Sequence, residues 1–539
     1  MLCDFISRWI KAQWRGKPYG KCNAMSWSRS PATSTPDGIL GLRLGPSART
    51  VVLNKWTHVR DLFDSREKGA IYADRPTNPI ADYVLSNQDL HLAFAQYGPK
   101  WRKARKTVVE FLSGKHLEKI LDVQNAESTQ MIWELLQFCG SDKEAESKKY
   151  HTYVKRAFGA VILETVYGLR CKDSDDDSRV MRFFAIVDDF AGLLAPGATP
   201  PFDIFPWLRF VPDFLTPWKG WQKRANSVRK RQSMFYRELF FEAETMHKAG
   251  KLEESFVASL INDNMAAIRS GREKDLYTQL ELDYICGFLL DAGADTTVMA
   301  FETFILAMAT HPEIQKQAQE EVDAVFGSDR MPHAIDGRKS PFLKACFLET
   351  LRWRPPFPIA VPHANTVDDV YQGCSIPKGT TVISNIWAIC QDTDEFDDPD
   401  SYQPSRYLAD AFGIKTDGAA KEPSEKDPSY LDTPSVEADE TRASGRRQTY
   451  AFGAGRRICA GSKMAENSMM MSMSKLLWSF NVLPGTDKKL DTDYGTAYKN
   501  ALLTGPEPFP VKFVLRDEKK RDIITKEWEE ANQSLSEFE

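Results

Sequence analysis

Residues 452–461 read Phe-Gly-Ala-Gly-Arg-Arg-Ile-Cys-Ala-Gly, a glycine-rich loop that holds one cysteine beside two arginines. Gly455 and Gly461 remove side chains where the backbone would approach a bulky planar ligand, and glycine takes positive φ without steric cost. The run 462–477 predicts a helix, so Cys459 lies near a helix N-terminus whose dipole stabilises a thiolate. A lone cysteine beside glycine and arginine is more often an ordinary thiol. The whole pattern instead predicts a cysteine that ligates the metal of a flat, anionic ring.

The composition indicates one large domain without a nucleic-acid partner. The 539 residues carry a net charge of −5, and 42% of them are hydrophobic and 11% aromatic. Length alone suggests several domains, but residues 1–400 show no break in composition that would separate independent cores. A chain this close to neutrality has no basic footprint for nucleic acid. The nine cysteines are scattered without close pairs, which predicts reduced intracellular thiols and neither a disulfide framework nor a Cys-x-x-Cys zinc site.

Hydrophobic periodicity predicts a mainly α-helical fold. Apolar residues recur at three- and four-residue spacing in the stretches 101–112, 119–138, 150–167, 178–194, 221–248, 277–310, 312–326 and 342–353. A small β-rich edge beside this helical body is predicted by short segments at 42–44, 51–53, 381–383 and 511–515. No stretch reaches the ~20 apolar residues that span a bilayer.

The cysteine loop matches a known family pattern. The spacing Phe-x-x-Gly-x-Arg-x-Cys-x-Gly occurs at Phe452, Gly455, Arg457, Cys459 and Gly461. It resembles the haem-binding signature of the cytochrome P450 family. The resemblance extends over residues 40–515 and implies the cytochrome P450 fold, a haem b cofactor, haem contacts from these five residues, and Cys459 as the iron ligand. A Cys-x-x-Cys-His sequence is missing, so the haem is expected to be held by coordination rather than by thioether bonds.

Residues 290–297 read Leu-Asp-Ala-Gly-Ala-Asp-Thr-Thr and interrupt an apolar helical pattern with small and hydroxyl side chains. A threonine in such a helix commonly donates its hydroxyl to the carbonyl a turn earlier and bends the helix, and the local opening would admit O₂ and water. On its own the run is more typical of a tight helix crossing. It resembles the oxygen-activation segment of the family, which implies catalytic roles: Thr296 donates a hydrogen bond during oxygen activation, and Asp295 helps to relay protons.

A second family-like element pairs opposite charges. Glu349 and Arg352 lie three residues apart on one helical face, which suits a charge-assisted pair, although an exposed pair contributes only about 0.5 kcal/mol. Their spacing resembles the family's Glu-x-x-Arg element, and Pro-Ser-Arg-Tyr at 404–407 resembles the later segment whose arginine joins that pair. The resemblance implies a buried structural network of Glu349, Arg352 and Arg406 that supports the cysteine loop.

A haem also brings two propionates, whose burial requires cations or hydrogen-bond donors. Trp101 and Arg105 match the family's Trp-x-x-x-Arg helix. Arg457 lies two residues before the cysteine, and His363 follows Val-Pro at a position that often contacts a propionate in the family. The resemblance implies haem contacts for all four. Without it, His363 is typical of a turn, and the basic residues 100–106 are typical of a solvated face or of a docking patch for an acidic redox partner.

Several regions lie outside these motifs. Residues 1–39 form an atypical N-terminal segment that either contacts a membrane surface as an amphipathic helix or packs against the domain. Residues 409–447 are polar and interrupted by prolines, which predicts a solvated insertion, and residues 516–539 form a charged C-terminal tail. Residues 195–219 are broken by prolines but strongly apolar. They are expected to cover a hydrophobic channel, to touch a membrane, or to fold back onto the core.

Together these features predict a haem-thiolate monooxygenase that inserts one atom of O₂ into an apolar small molecule, by hydroxylation, epoxidation or multistep oxidation. Thiolate ligation favours O–O cleavage because sulfur donates electron density to the iron. No Gly-x-Gly-x-x-Gly or comparable nucleotide signature is present, so electrons are expected from NADPH through a separate cytochrome P450 reductase. Substrate contacts are expected from 77–97, 183–219, 288–292 and 357–361.

The wider resemblance refines the biological setting and leaves two rivals. The surroundings of residues 387–389 and 450–452 resemble fungal members that act in secondary metabolism, and the family resemblance places such an enzyme inside the cell at the endoplasmic reticulum membrane surface. One rival uses the same pocket as a peroxide-driven oxygenase, a dehydratase or an isomerase. The other is a non-catalytic haem-binding protein. The Asp295–Thr296 pair argues against both, because neither needs a proton relay.

Overall fold

The structure, a computed structural model, describes residues 32–34, 38–43, 48–85, 88–138, 149–175, 177–194, 198–202, 205–212, 215, 217–218, 220–252, 254–333, 339–415, 445–499 and 501–538. Most of the predicted N-terminal segment 1–39 (residues 1–31 and 35–37) and most of the predicted insertion 409–447 (residues 416–444) lie outside the described residues. Within them the fold is mainly helical with a small β-rich edge, as the hydrophobic periodicity predicts.

Helices make up most of the described chain. They are α1 (Trp56–Val59), α2 (Pro79–Val84), α3 (Pro99–Phe111), α4 (Gly114–Phe138), α5 (Tyr150–Tyr167), α6 (Arg179–Leu194), α7 (Trp221–Lys248), α8 (Phe256–Arg269), α9 (Gln279–Gly293), α10 (Asp295–Thr310), α11 (Pro312–Phe326), α12 (Pro341–Trp353), α13 (Ile386–Cys390), α14 (Arg406–Ala409), α15 (Ser462–Ser479) and α16 (Lys519–Leu535). A π-helical turn, Arg60–Asp64, continues α1.

The β-rich edge consists of one sheet and two hairpins. The sheet has the order β1 (Ala32–Ser34), β2 (Ile39–Arg43), β3 (Arg49–Leu53), β7 (Thr381–Ser384) and β4 (His363–Ala364). Its neighbours are antiparallel except β3 and β7, which run parallel. The hairpins pair β5 (Asp369–Tyr371) with β6 (Cys374–Ile376), and β8 (Phe480–Pro484) with β9 (Val511–Leu515). The parallel pair brings distant parts of the chain to one side of the helical body.

Three helices form the centre of that body. Nearly every residue of α10 and α15, and of α5 from Ala157 onward, is buried, as expected for helices that are apolar or small on all sides. One polar exception in α15 is Lys475, whose Nζ donates to Ser128 at 3.0 Å and Thr129 at 2.7 Å on α4. Because α15 follows the cysteine loop directly, this packing fixes the position of the loop.

The predicted helix at 277–310 is interrupted. Helix α9 ends and α10 begins on either side of Ala294. Thr296 Oγ1 donates to the Ala292 carbonyl at 3.0 Å, the bond type that bends helices. A Cβ at Gly293 would lie 2.6 Å from Ile162 on α5, so the small residues also permit a tight helix crossing. The segment therefore shows both the threonine back-bond that bends a helix and the tight helix crossing that the sequence suggested.

Besides the short helices α1, α2, α13 and α14, two described helices longer than six residues were not predicted, α8 and α16. The second lies in the charged C-terminal tail, where Trp528 stacks on Trp133 of α4 with ring centroids 5.3 Å apart. Ile524 and Leu535 of α16 are also buried. The tail is thus a helix packed against the main body.

The apolar loop at 195–219 divides into two parts. Phe202 is buried and its ring centroid lies 5.2 Å from that of Trp221, so this part folds back onto the core. Trp207 and Phe210 are 58% and 81% exposed. Among the described residues, no helix combines the length and apolarity that crossing a bilayer requires.

Candidate haem site and substrate cavity

The residues predicted to contact haem, and the predicted catalytic Thr296, largely converge on one internal cavity of about 380 Å³. Those on its wall are Trp101, Arg105, Thr296, His363, Phe452, Arg457, Cys459 and Gly461. The four regions expected to contact substrate also contribute to the wall, with side chains that include Phe94, Phe190, Phe288, Leu289 and Phe357. Outside the lining are Asp295, Gly455, Glu349, Arg352 and Arg406.

Cys459 is positioned by the fold of its own loop. The loop runs from a 3-10 turn at Gly455–Arg457 to the start of α15, and the Cys459 amide donates to the Phe452 carbonyl at 2.9 Å. The side chain is accessible from the cavity, yet protein surrounds it. Burial raises the pKa of the Cys459 thiol, and the Gly461 amide and Arg105 offset this only in part. The helix N-terminus alone therefore does not produce a thiolate, whereas a bound metal ion would.

The two glycines expected beside the ring are explained by different structural features. Gly455 has φ of +65°, a Cβ there would collide with the Phe63 carbonyl, and its amide donates to Asp64 Oδ1 at 2.7 Å. Packing against the π-helical turn, not the cavity, requires this glycine. At Gly461 a Cβ would meet nothing closer than Leu112 at 3.9 Å. The open space beside Gly461 therefore suits a planar ligand.

Arg457 and Trp101 hold each other on the wall. The Arg457 guanidinium lies 4.1 Å from the centre of the Trp101 ring, a cation–π arrangement. Arg457 also donates to the carbonyls of Ala73 and Ala95, both at 2.7 Å. Trp101 Nε1 donates to the Leu92 carbonyl at 3.1 Å. Both side chains are therefore fixed before any ligand binds.

Arg105 and Arg75 add two more cations. Arg105 on α3 donates to the carbonyl of Ile458, the residue before the cysteine. Arg75 is buried on the same cavity and donates to the carbonyls of Ala93 at 2.8 Å and Val361 at 2.7 Å. No motif pointed to Arg75, because its partners lie far away in the chain.

These three arginines, the cavity arginines Arg75, Arg105 and Arg457, lack carboxylate partners: among the described residues none of them forms an ion pair. Asp74 attracts Arg75 and Arg457 electrostatically without forming an ion pair with either. It accepts from the backbone amides of Arg75 at 3.0 Å and Tyr97 at 2.7 Å. Burial lowers the pKa of all three, that of Arg457 to about 10. Buried cations require an anion nearby, so a thiol and this donor set on one cavity fit a haem and its two carboxylates.

His363 is less suited to a propionate than the arginines. Its Nδ1 donates to the Tyr72 carbonyl at 2.7 Å, and its ring stacks on Phe63 at 4.1 Å. Burial, together with Arg75 and Arg457, lowers the pKa of His363 well below its ordinary value. A neutral histidine that donates from Nδ1 presents Nε2 as an acceptor. In this state His363 has no proton to donate to a carboxylate.

The acid and the alcohol of the oxygen-activation segment face different surroundings. Thr296 lines the cavity, and Asp295 lies behind it. Burial raises the pKa of Asp295 to about 6, against the opposing attraction of Lys155 and Lys499. An acid with this pKa exchanges protons near neutral pH. One turn earlier, Asp291 lines the cavity, although the sequence drew attention only to Asp295.

Glu349, Arg352 and Arg406 form a buried network away from the cavity. Arg352 donates to both oxygens of Glu349 at 2.7 and 2.8 Å, and Arg406 donates to one of them at 3.3 Å. Arg352 also donates to the Cys390 carbonyl, and the Gln403 amide donates to Glu349, both at 2.8 Å. Burial lowers the pKa of Arg352, but Glu349 raises it more. This network fixes the segment that precedes α14.

Two carboxylates, Asp64 and Glu395, accept hydrogen bonds from the cysteine loop and the residues before it. Asp64 accepts from the Gly455 amide at 2.7 Å and from Arg447 at 2.6 Å. The neighbouring Arg446 donates to Glu395 at 2.7 Å. Asp64 and Gly455 are 391 positions apart, so no local pattern could reveal this support.

Comparison with known proteins assigns the family. The Cytochrome P450 family model matches residues 32–513. The chain is 31% identical over 517 residues to cytochrome P450 monooxygenase yanC of Aspergillus niger, covering 94% of this chain and 88% of that protein. It is 29% identical over 496 residues to cytochrome P450 monooxygenase atE of Aspergillus terreus, covering 91% and 84%.

A solved cytochrome P450 structure has a similar fold. A zebrafish cytochrome P450 structure with abiraterone superposes with a TM-score of 0.67 at 22% identity, covering 89% of this chain and 96% of that one. This likeness bears on the fold alone, and it confirms the fold class predicted from the helical periodicity. The family match over nearly the whole chain confirms the enzyme class that the cysteine loop indicated. The chain therefore belongs to the cytochrome P450 family of haem-thiolate monooxygenases.

Proposed function

We propose that this monooxygenase binds haem b, which Cys459 would hold as a ligand of the iron and the cavity arginines would hold through the two propionates. The observation that carries the proposal is one accessible thiol on the same wall as three arginines, Arg75 buried and the other two half-buried, that form no ion pair with any described carboxylate. When bound, the haem supplies an iron centre at which O₂ is reduced and the O–O bond is cleaved with electron density from sulfur.

The other predicted haem residues divide by position. Trp101, Phe452 and Gly461 line the cavity and would contact the ring or leave room for it. Gly455 acts through the loop, because its conformation is required by Phe63 rather than by a ligand. His363 would contact a propionate only after gaining a proton at Nε2. We therefore assign His363 a packing role against the haem edge.

Thr296 and Asp295 would deliver protons to the oxygen side of the cavity. The Thr296 hydroxyl is bonded to the Ala292 carbonyl, so the residue is held on the wall with one hydroxyl able to exchange partners. Asp295, with a pKa of about 6, adjoins Thr296 in the chain at the helix interruption and would exchange protons near neutral pH. General acids positioned in this way typically contribute ~10² or more to the rate.

The substrate is proposed to be an apolar small molecule that undergoes hydroxylation, epoxidation or multistep oxidation. Aromatic and aliphatic side chains dominate the wall between α6, α9 and residues 357–361, and such walls bury apolar guests. Both curated relatives described above come from fungi of the genus Aspergillus. Together with the sequence resemblance, this supports a role in fungal secondary metabolism.

Electrons are proposed to come from NADPH through a separate cytochrome P450 reductase. Helix α3 carries Trp101 and Arg105 on the cavity side, while Lys100, Arg102 and Lys106 are exposed. An exposed basic face directly outside the haem site would attract an acidic partner. The exposed Trp207 and Phe210 would suit contact with the endoplasmic reticulum membrane surface.

The thiolate assignment is tested by the spectrum of the reduced, haem-loaded protein under carbon monoxide. The unmodified protein should show the red-shifted Soret band of thiolate ligation, and Cys459→Ser should lose it. Cys374→Ala is the matched control, because Cys374 is a buried cysteine of β6 that does not line the cavity. A band in Cys459→Ser, or no band in well-folded unmodified protein, would contradict the proposal. Turnover with peroxide but not with NADPH and reductase would favour the peroxide-driven rival.

A further inference from the structure

One part of the otherwise apolar cavity is polar. His91, Gln232 and Asp291 all line it; His91 and Gln232 are only 5% and 2% exposed. They come from three elements, because His91 follows the 3-10 turn Gln88–Leu90, Gln232 lies on α7 and Asp291 lies on α9. With Tyr236 of α7 they form a cluster that we call the polar corner.

Hydrogen bonds inside the polar corner converge on one oxygen. Tyr236 donates its hydroxyl to Asp291 Oδ2 at 2.5 Å. Gln232 Nε2 donates to the Tyr236 hydroxyl at 2.7 Å and to Asp291 Oδ2 at 3.4 Å. His91 Nε2 lies 3.3 Å from the same oxygen. Burial and then Asp291 raise the pKa of Tyr236, so Tyr236 stays protonated as a donor and the cluster is preorganised.

Two buried acceptor atoms of the polar corner are not satisfied by any described residue. His91 Nδ1 and Gln232 Oε1 have no hydrogen-bond partner among the described residues. When His91 donates its Nε2 proton to Asp291, Nδ1 carries a lone pair and accepts. Gln232 uses its amide nitrogen as a donor, so Oε1 also accepts. Buried acceptors without donors are costly, and both belong to side chains on the cavity wall.

We propose that the polar corner binds a hydroxyl group of an otherwise apolar substrate, which donates its proton to Gln232 Oε1 or His91 Nδ1. This inference rests on the proposed function, because the substrate occupies the same cavity. We favour an uncharged hydroxyl over an ammonium group, since Asp291 Oδ2 already receives three donors and the two buried unpartnered acceptors are uncharged. The second oxygen of Asp291, Oδ1, is the acceptor that an ammonium group would use instead. The His91 ring packs 5.2 Å from both Phe94 and Phe288, so apolar contacts surround the anchor.

An anchored hydroxyl would also decide where the substrate is oxidised. A purely apolar guest can turn in an apolar cavity, whereas one directional hydrogen bond removes most of these orientations. Oxidation is then confined to carbon atoms at a set distance from the hydroxyl. The polar corner therefore determines specificity and positions the substrate. Its residues take no part in the oxygen chemistry itself.

The test compares three probes with one skeleton on the haem-loaded protein: phenylcyclohexane, 4-phenylcyclohexanol and 4-phenylcyclohexylamine. Calorimetry gives the dissociation constant of each probe. The ratio of the alcohol's dissociation constant to that of the hydrocarbon is then compared between proteins, because this comparison removes the difference in hydration of the free probes. In Gln232→Met this ratio should shift about tenfold toward the hydrocarbon, the effect of one hydrogen bond. His91→Phe, which keeps an aromatic ring between Phe94 and Phe288, should shift it in the same direction.

A wall variant outside the polar corner supplies the control. Val187→Ala trims an apolar lining residue, so it should weaken all three probes while it leaves the ratio unchanged within about twofold. An unchanged ratio in both Gln232→Met and His91→Phe would overturn the proposal. So would a preference for the amine that disappears only in Asp291→Asn, since that result indicates a cation site.

The same preparations separate this inference from the proposed function. The carbon monoxide spectrum is recorded on each protein before titration. A missing thiolate band in the unmodified protein counts against the haem assignment, whereas the calorimetric ratio still reports on the polar corner. An intact band with an unchanged ratio counts against the polar corner alone.

Discussion

The Glu349 network and the cavity arginines both hold arginine side chains largely removed from solvent, but they differ in what balances the charge. Arg352 and Arg406 share the carboxylate of Glu349. The cavity arginines lack such a partner among the described residues and face a cavity. Buried charges need partners. The charge of the Glu349 network is therefore balanced within the chain, whereas the charge of the cavity arginines is balanced only when an anionic ligand binds. The difference teaches which buried charges serve folding and which serve binding.

The largest effect on stability should come from breaking the Glu349 network. Glu349→Gln leaves Arg352 and Arg406 buried without a carboxylate, and breaking a buried pair in this way typically costs about 3–5 kcal/mol. Denaturant unfolding should therefore show a large loss in the free energy of unfolding. Glu518→Gln removes one partner of the exposed Arg521 pair at the start of α16 and should cause no measurable loss. Equal behaviour of the two variants would break the comparison.

A smaller effect, of a different kind, is expected on the cavity side. Arg105→Met removes a cation without a carboxylate partner, so the unfolding free energy of the haem-free protein should change by less than about 1 kcal/mol. Haem affinity should fall by about tenfold, because a charge-assisted bond to a propionate is lost. Haem titration followed by unfolding measures both. Arg102→Met, on the exposed face of the same helix, should leave haem affinity unchanged; a loss of stability with normal haem affinity in Arg105→Met would refute the contrast.

The smallest structural change should affect only the chemistry. Thr296→Ala removes a hydroxyl from the cavity wall, so haem content and unfolding should stay as in the unmodified protein. Product formed per NADPH should fall several-fold while hydrogen peroxide rises, because protons are no longer delivered in time. Thr310→Ala is the matched control, since Thr310 makes the same bond to the carbonyl four residues back on α10 away from the cavity. Fully coupled turnover in Thr296→Ala would refute its proposed role.

Local patterns predicted those features whose physics is local. Helix α5 was predicted to the residue, because its apolar residues recur at helical spacing and α5 is buried along most of its length. The interruption at Ala294 was anticipated from threonine back-bonding. The cysteine loop was identified by its spacing alone, since each of its residues lies within ten positions of the others.

Features that depend on distant partners were missed. Arg75 and Asp64 carry no motif, and their partners lie far away in the chain. Arg75 donates to Val361, 286 positions away, and Asp64 accepts from Gly455, 391 positions away. The polar corner joins three elements. Substrate contacts were expected from 77–97 and 288–292, which include His91 and Asp291, but no local pattern linked these residues to Gln232 on α7. Helix α16 was missed because its apolar face, which includes Ile524 and Trp528, is diluted by charged residues.

The bond between Asp64 and Gly455 has a consequence for biosynthesis. A ribosome adds residues one after another, so Asp64 leaves the ribosome long before Arg447 and Gly455 have been made. A contact of such long sequence separation forms slowly, because a long loop must close first. The prosthetic group can then enter a finished pocket only at the end of translation, and a truncated nascent chain has no way to capture it.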